Sequence, residues 1–364
     1  MIFLSRVPVS AAVNTSVELA KTLKKPWIVK FVNGVLRHAV RGYESLALPD
    51  RENDPAFALA IEQSMPLWMV NRWLVRLGLP HTLLLCEAIN TIPPVTVRTN
   101  TLKTTRHELL EAVRVYTQHA EATTFSPDGI RLYRPSAPVF SFTDFKEGLF
   151  QVQDEAAQLV TLLLDPLPEE AVLDSCAGVG GKTGHIAQQM KNRGKVMALD
   201  INPDRLAKIR PEMRRLGISI VDTGRYDFCQ PEFSGEIGQY DRVLLDAPCS
   251  GMGVLRRNPD TKWKTFPERL AACRSRQMKL LDSASRFVKP DGVLVYAVCS
   301  VEPEENEDVI SDFLGRHREY HIEKNTDLRI SSISHLIDDD GYLRTFPHLH
   351  NMDGFFAVRF KRTA

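Results

Sequence analysis

The sequence is poor in cysteine, in net charge and in long apolar runs. Its 364 residues include only six cysteines and carry a net charge of +1. No apolar run approaches the roughly 18 residues of a membrane-spanning helix, so we expect no membrane partner. The cysteines form no CxxC pair and no dense framework, which favours free thiols in a reducing cytoplasm over disulfides or a zinc site. The apolar core of the opening stretch is too short for a signal peptide.

Because the net charge is small, a surface for nucleic acid would have to be local. Residues 255–289 hold ten lysines and arginines against three acids. Such a concentration fits a phosphate-backbone partner, although a solvated helix face is the competing interpretation. Trp263 and Phe266 lie in this basic stretch, and we expect them to pack beneath a helix rather than to stack on a base.

The hydrophobic pattern divides the chain into three parts. Helical spacing over residues 12–45 predicts a helical domain, for which we set bounds of 1–62. Alternation in "PPVTVRTNTLK" and the short segments that follow predict a linker and a small α+β unit over 63–165. From 166 to 364 apolar strands alternate with helices, which is typical of an α/β domain with a parallel sheet covered on both faces.

The predicted strands of the last domain are "AVLDS", "KVMALD", "RVLLDA" and "GVLVYAV". We expect the closing segment "GFFAVRFK" to form a late antiparallel strand at the edge of the sheet. Ligands of such sheets bind outside the carboxyl ends of the strands. The sequence therefore predicts a binding site at the carboxyl ends of the parallel strands.

A glycine-rich loop, "DSCAGVGGKTG", follows the first of these strands. Gly178, Gly180 and Gly181 allow a tight turn and a close approach of the backbone to a ligand at a helix N-terminus. A P-loop is excluded because that motif needs glycine where Cys176 stands. Asp200 ends the next strand, where an acid binds ribose hydroxyls in nucleotide folds. The loop and the acid fit either NAD or S-adenosylmethionine.

The same dipeptide, Cys-Ser, follows the third and the fourth strand, in "DAPCSG" and "VCSVEPEENE". A lone cysteine at a strand end is usually a small core residue. Two at equivalent ends, with Asp246 beside one of them, favour covalent chemistry. Methylation of carbon 5 of a pyrimidine needs a thiolate that first adds to carbon 6. Hydride transfer needs no thiol here, so the pair favours S-adenosylmethionine over NAD.

These motifs resemble the Sun-type RNA cytosine methyltransferases, and most closely the bacterial ribosomal RNA small subunit methyltransferase B (RsmB) group. "FVNGVLR" is similar to the end of that group's NusB-like domain, which looks shortened here, and "PPVTVRTNTLK" to its RNA-contacting linker domain. "DSCAGVGGKT", "DAPCSGMGVLRRNPDTKW", "VYAVCSVEPEENE" and "DGFF" then follow in family order. The resemblance implies a Rossmann-like methyltransferase domain, a small α+β linker domain and a partial all-helical NusB-like domain.

The resemblance also implies roles for individual residues. Cys299 corresponds to the nucleophile, Cys249 to the cysteine that assists release, and Asp246 lies between cofactor and base. The implied S-adenosylmethionine site consists of Cys176, Ala177, Gly178, Val179, Gly180, Gly181, Lys182, Asp200, Arg205, Asp227 and Asp246. The implied RNA-contacting residues are Arg98, Asn100, Lys103, Arg256 and Arg257. We expect small-subunit rRNA as the partner, no metal, and a monomer.

The sequence departs from the family pattern at three positions. Val179 replaces a proline of the glycine loop, and Val298 replaces the threonine before the nucleophile. An acid that approaches the adenine falls at Thr223, so Asp222 or Asp227 would have to substitute for it.

Two alternatives stay open at this point. A DNA cytosine methyltransferase would use Cys249 of the Pro-Cys motif as nucleophile, but its Glu-Asn-Val loop is missing after that strand. A non-catalytic RNA-binding assembly factor could keep the fold without activity, although both thiols and Asp246 are present.

Overall fold

The computed structural model describes residues 7–42, 49–230, 240–324 and 331–363. Its helices are α1 (Val9–Lys21), α2 (Pro26–Gly42), α3 (Pro55–Glu62), α4 (Leu67–Ile89), α5 (Arg106–Val113), α6 (Thr143–Lys146), α7 (Glu155–Leu164), α8 (Gly181–Gln189), α9 (Pro203–Leu216), α10 (Thr261–Lys264), α11 (Pro267–Ser285), α12 (Glu307–Arg316) and α13 (Pro347–His350). Its strands are β1 (Val95–Thr99), β2 (Thr117–Ala122), β3 (Gly129–Pro135), β4 (Phe150–Val152), β5 (Ala171–Asp174), β6 (Lys195–Asp200), β7 (Val221–Arg225), β8 (Tyr240–Asp246), β9 (Val288–Val298), β10 (Tyr320–Ile322), β11 (Tyr342–Thr345) and β12 (Phe355–Arg362). The chain forms two compact units, Met1–Leu74 and Val75–Ala364.

The first unit is helical where it is described, as the spacing predicted. The predicted stretch of 12–45 is two helices, because the chain turns between α1 and α2 and Lys24 takes a positive φ of 54°. Residues 43–45 of that prediction lie outside the described part of the chain. Among described residues, no helix is both long and apolar enough to cross a membrane.

A small antiparallel sheet opens the second unit, in the order β2-β3-β1-β4. The alternation in "PPVTVRTNTLK" correctly predicted β1, whereas β2 was not predicted. Of the six residues of β2 only Ala120 is buried, so this strand shows no apolar alternation. One face of the sheet packs on α5, whose Leu109 joins Val97, Ile130 and Phe150 in a common core.

The large sheet has the order β10-β12-β9-β8-β5-β6-β7, with β11 paired to β12. β5 through β9 pair in parallel, and two buried apolar cores cover the two faces of the sheet, as the continuous apolar strands predicted. The prediction of an edge position for "GFFAVRFK" was wrong. β12 is antiparallel, but it lies between β9 and β10, and six of its eight residues are buried.

Candidate active site

The site lies where the large sheet reverses its strand order. From β5 the chain proceeds outward through β6 and β7, and then returns to place β8 on the other side of β5. The loops that leave β5 and β8 therefore diverge at the carboxyl edge and leave a crevice between them. The glycine loop follows β5, and Asp246 ends β8.

The glycine loop turns tightly into α8. Gly178 and Gly180 have φ of 57° and 87°, a region that disfavours side chains. A Cβ at Gly180 would come within 3.3 Å of the Ile209 side chain, whereas one at Gly178 or Gly181 would meet nothing within 4 Å. The loop is thus held against α9 on one side and is open on the side of the crevice.

Lys182, in the first turn of α8, links the two diverging loops. Its Nζ lies 2.5 Å from Oδ2 of Asp246 and 5.2 Å from the centre of the Phe355 ring. The Lys182 side chain is largely buried, so this ion pair is shielded from water and its attraction is stronger than that of a surface pair. The pair fixes Asp246 at the centre of the crevice.

Asp174, the last residue of β5, was not predicted as a site residue. Its Oδ2 accepts a hydrogen bond of 2.7 Å from Thr183 Oγ1, whereas its Oδ1 is buried without a protein partner. Burial raises the pKa of this carboxyl to about 7. An unpartnered buried oxygen in the crevice suits a ligand that brings a donor or a positive charge.

A cavity of about 500 Å³ occupies the crevice. Its lining includes ten of the predicted cofactor and catalytic residues: Cys176, Ala177, Gly178, Val179, Gly181, Lys182, Arg205, Asp246, Cys249 and Cys299. It also includes residues that were not predicted as site residues, namely Gln153, Ala157, Asp174, Ala247, Pro248 and Phe355. Asp174, Ala247, Pro248 and Phe355 lie within the motifs "DSCAGVGGKT", "DAPCSG" and "DGFF", whereas Gln153 and Ala157 lie outside them.

Three predicted cofactor residues are not in this lining. Gly180 packs on α9. Asp200 is nearly buried, and its two oxygens accept from the backbone N–H groups of Gly178 and Asn202, at 2.9 and 2.8 Å. Asp227 accepts from the Cys229 N–H at 2.9 Å. Asp200 therefore shapes the glycine loop, and any ligand contact of its carboxylate would be additional to that role.

The two predicted cysteines meet at the cavity. The sulfur atoms of Cys249 and Cys299 lie 3.1 Å apart, and both thiols are free. The hydrogen bond to Cys299, together with burial, raises the pKa of Cys249 well above its usual value. Either sulfur can be the donor of the hydrogen bond between the two thiols.

Two of the predicted RNA-contacting residues are buried, which corrects their predicted role. Arg98 is 1% exposed, and its guanidinium donates to the side chains of Gln151, Gln153 and Gln188 and to the Gly181 carbonyl. The amide of Asn100 donates to the carbonyls of Gly148 and Leu216, both at 2.8 Å. Both side chains join the small sheet to the large domain and have no surface left for a phosphate.

Lys103 and Arg257 are also engaged within the protein. Lys103 Nζ donates to the carbonyls of Glu147 and Arg215, both at 2.7 Å. Arg257 binds Asp353 through Nε at 2.9 Å and Asp154 through Nη2 at 2.6 Å. Arg257 therefore ties the loop after Cys249 to α7 and β12. Arg256 is half-buried and donates to Asn351.

The basic stretch has an exposed aromatic surface, contrary to our expectation. Trp263 in α10 and Phe266, directly before α11, are 57% and 58% exposed. Lys264 and Arg269 beside them are exposed as well. We call these four residues the aromatic–basic surface.

The described ranges contain no group of three or more His, Cys, Asp or Glu side chains that could bind a metal ion. His348 and His350 instead pack among rings, with His348 5.8 Å from His81 and His350 5.8 Å from Phe125.

Three protein-family models match the chain. Residues 161–361 match "16S rRNA methyltransferase RsmB/F", residues 65–139 match the ferredoxin-like domain of RsmF/B-like methyltransferases, and residues 1–41 match the NusB family. The three matches follow the order of the helical region, the small sheet and the large sheet.

Individual relatives agree with these matches. A Bacillus subtilis (strain 168) protein named "Probable ribosomal RNA small subunit methyltransferase B" is 35% identical over 100% of this chain and 80% of its own length. Among solved structures, PH0851 is 28% identical, with a TM-score of 0.83 over 97% of this chain and 77% of that one. A methyltransferase homolog protein from Pyrococcus horikoshii is 27% identical, with a TM-score of 0.71 over 85% of this chain and 99% of that one.

The raised pKa of Asp174 predicts a pH-dependent stability. An unfolded aspartate ionises near pH 3.9, whereas burial raises the folded pKa to about 7, so the folded state loses stability as the pH rises through that window. Asp174→Asn removes this penalty and still accepts from Thr183. We expect its Tm to exceed that of the wild type by a few degrees at pH 8, with a smaller gain at pH 5.

Thermal melts at several pH values would measure this difference in Tm, with the exposed Asp204→Asn as control. A gain that does not change with pH would contradict the assignment.

Proposed function

The chain belongs to the RsmB/F family of 16S rRNA methyltransferases, and on that basis we propose that it methylates carbon 5 of a cytosine in small-subunit rRNA, with Cys299 as nucleophile. It is an rRNA methyltransferase by family. The base, the position and the covalent route are our proposal. The observation that carries it is the pair of sulfur atoms 3.1 Å apart in the lining of the glycine-loop cavity.

The proposed reaction begins at Cys299. Its thiolate adds to carbon 6 of cytosine, and the electrons of the 5,6 double bond make carbon 5 nucleophilic. Carbon 5 takes the methyl group, and it then carries both the methyl group and its original proton. Removal of that proton restores the double bond, and the bond between carbon 6 and sulfur breaks to return the Cys299 thiolate.

Cys249 is suited to the second half of this sequence. Its thiol is hard to ionise while it shares a hydrogen bond with the Cys299 thiol, because that bond is the largest cause of the raised pKa. In the adduct the sulfur of Cys299 is a neutral thioether, so the contribution of the Cys299 thiol to the raised pKa of Cys249 is lost, while those of burial and Glu305 remain. We propose that Cys249 then loses its proton to water. The resulting thiolate can accept the proton from carbon 5.

The cavity fits S-adenosylmethionine, which supplies an activated methyl group on a positively charged sulfur. Asp246, and Asp174 with its unpartnered oxygen, place carboxyl groups within the lining. A ligand with a positive charge would favour the ionised form of Asp174. The glycine loop provides a backbone that a ligand can approach closely, and Arg205 of α9 also lines the cavity. We propose these residues as the cofactor site. Asp200 supports the loop and is also proposed for the ribose hydroxyls, and Asp227 is proposed for the adenine side.

For the RNA, we propose the aromatic–basic surface together with Arg256. α11 runs beside the catalytic loops: Arg269 hydrogen-bonds the Cys273 thiol, which also contacts Glu305, and the charge of Arg276 acts on the cavity residue Cys176. A target base must leave its stack to reach the two half-buried thiols in the cavity. Exposed rings flanked by cations can stack on neighbouring bases and neutralise their phosphates.

The family match and the cavity both bear on the two alternative functions, a DNA methyltransferase and a non-catalytic assembly factor. The family match is to rRNA methyltransferases, which disfavours a DNA methyltransferase. A complete cavity with a paired lysine and carboxylate disfavours a non-catalytic assembly factor.

Single substitutions of the two cysteines should block different steps of the reaction, adduct formation for Cys299 and release for Cys249. Cys299→Ala should form no covalent adduct and lose several orders of magnitude in methyl transfer, since the nucleophile is gone. Cys249→Ala should form the adduct and stall. Denaturing electrophoresis with a small-subunit rRNA substrate would then show a slow protein–RNA band for Cys249→Ala that ribonuclease removes.

Controls make this experiment decisive. The double variant should show no band, and Cys229→Ala, which lies outside the cavity lining, should behave as the wild type. A band in Cys299→Ala but not in Cys249→Ala would reverse the two roles. Bisulfite sequencing of the methylated rRNA should report one protected cytosine, and its absence despite methyl transfer would overturn the choice of base and position.

The aromatic–basic surface predicts two different binding defects. Lys264→Ala with Arg269→Ala should weaken RNA binding and lower the slope of log affinity against log salt by about two, because each lost phosphate contact lowers it by about one. Trp263→Ala should weaken binding by about 1–3 kcal/mol at every salt concentration and leave the slope unchanged.

The matched control is Lys195→Ala, which removes an exposed lysine at the amino end of β6, away from the carboxyl ends of the strands where the cavity lies. It should change neither the affinity nor the slope. Equilibrium binding at four or more salt concentrations would measure both quantities. If the Lys264 and Arg269 double variant kept the wild-type slope, this surface would not contact the RNA.

A further inference from the structure

Each cysteine of the pair is followed by a buried serine, and both serines bind one carboxylate. Ser250 donates to Glu305 through its backbone N–H at 2.7 Å and through Oγ at 2.5 Å. Ser300 Oγ donates to the same Oε2 of Glu305. The repeated Cys-Ser dipeptide thus reflects a shared partner, which the acidic run "EPEENED" supplies.

Glu305 is itself fixed from several sides. Its side chain has no exposed surface, and Gln277 of α11 donates to its Oε1 at 3.1 Å. Gln277 also donates to the carbonyl of Pro248, directly before Cys249, at 3.1 Å. The hydroxyl of Tyr296 in β9 donates to the Glu305 backbone carbonyl at 2.7 Å.

A fully buried carboxylate is stable only where donors surround it. Ser250, Gln277 and Ser300 supply four such donors to Glu305, and the Cys273 thiol also hydrogen-bonds it. Three of these donors come from the two turns that carry the cysteines. Moving either turn would break bonds to a buried acceptor, which is costly. The carboxylate therefore sets the separation of the two turns.

We propose that Glu305 is a positioning residue that holds the Cys249 and Cys299 turns at the separation the two thiols need. This role rests on the proposed function of the pair. One carboxylate thus binds both catalytic turns, and its Oε2 accepts hydrogen bonds from both serines. Glu305 touches neither cavity nor substrate and acts through Ser250 and Ser300.

The negative charge of Glu305 also fits the different roles proposed for Cys249 and Cys299. Its negative charge is one of the causes that raise the pKa of the Cys249 thiol, after the hydrogen bond to Cys299 and burial. The carboxylate thus favours the protonated form of Cys249 before the reaction.

The serine variants give opposite readouts in the adduct experiment. Ser300→Ala loosens the turn of the nucleophile and should lower the rate of adduct formation about tenfold. Ser250→Ala loosens the turn of the releasing cysteine and should raise the amount of adduct trapped at steady state. A merely structural role would lower adduct with both variants, and that result, or no change in either, would overturn the proposal.

Glu305→Gln tests the carboxylate directly. The amide places a donor against serine donors, so we expect adduct formation in the Cys249→Ala background to slow at least tenfold while S-adenosylmethionine still binds. Asp308→Asn removes an exposed carboxylate a few residues away, at the start of α12, and is the matched control. If Cys249→Ala alone forms no adduct, the proposed function has failed; if it forms adduct and Glu305→Gln does not slow it, only the positioning role has failed.

A pH profile separates charge from packing. In the Cys299→Ala background, we expect the midpoint of Cys249 alkylation by iodoacetamide to move to lower pH when Glu305→Gln removes the negative charge. The Asp308→Asn control should leave the midpoint in place. An unchanged midpoint with Glu305→Gln in a folded protein would contradict the electrostatic part of the role.

Discussion

The strand order of the large sheet reverses beside β5, and the crevice left by that reversal determines where every other functional group lies. The glycine loop leaves β5, Asp246 ends β8, and Cys299 follows β9 on the far side of β8. Since the strands are parallel, their carboxyl ends meet at one edge, and residues far apart in sequence converge there. The ion pair of Lys182 with Asp246 then closes the crevice between the two diverging loops.

Buried and half-buried charged side chains hold this edge together, and they differ in how many protein partners they have. Arg98, Arg257 and Glu305 each have several protein partners, and each joins segments more than 50 residues apart in sequence. Asp174 has one protein partner for two oxygens. Buried polar groups are normally paired, so the unsatisfied carboxyl marks the part of the crevice prepared for a ligand, and the satisfied ones mark its frame.

The same distinction explains the corrected RNA contacts. The sequence alone does not distinguish a positively charged linker residue that binds a phosphate from one that donates to a buried side-chain amide. Arg98 lies on β1 facing the large domain, where three glutamine side chains and a carbonyl accept its hydrogen bonds. Trp263 and Phe266 show the reverse case, because rings that the sequence suggested would pack beneath a helix are exposed beside α11.

The sequence by itself determined the family, the alternation of strands and helices, the glycine loop and the two cysteines, because these are local patterns of spacing and residue type. It did not indicate β2, the place of β12 between β9 and β10, or the buried, unpartnered oxygen of Asp174, since strand neighbours and burial depend on long-range pairing. The convergence of Ser250 and Ser300 on Glu305 was likewise decided only by the tertiary structure. Ser300 lies only five residues from Glu305, but Ser250 is 55 residues away, and the parallel pairing of β8 with β9 brings it there.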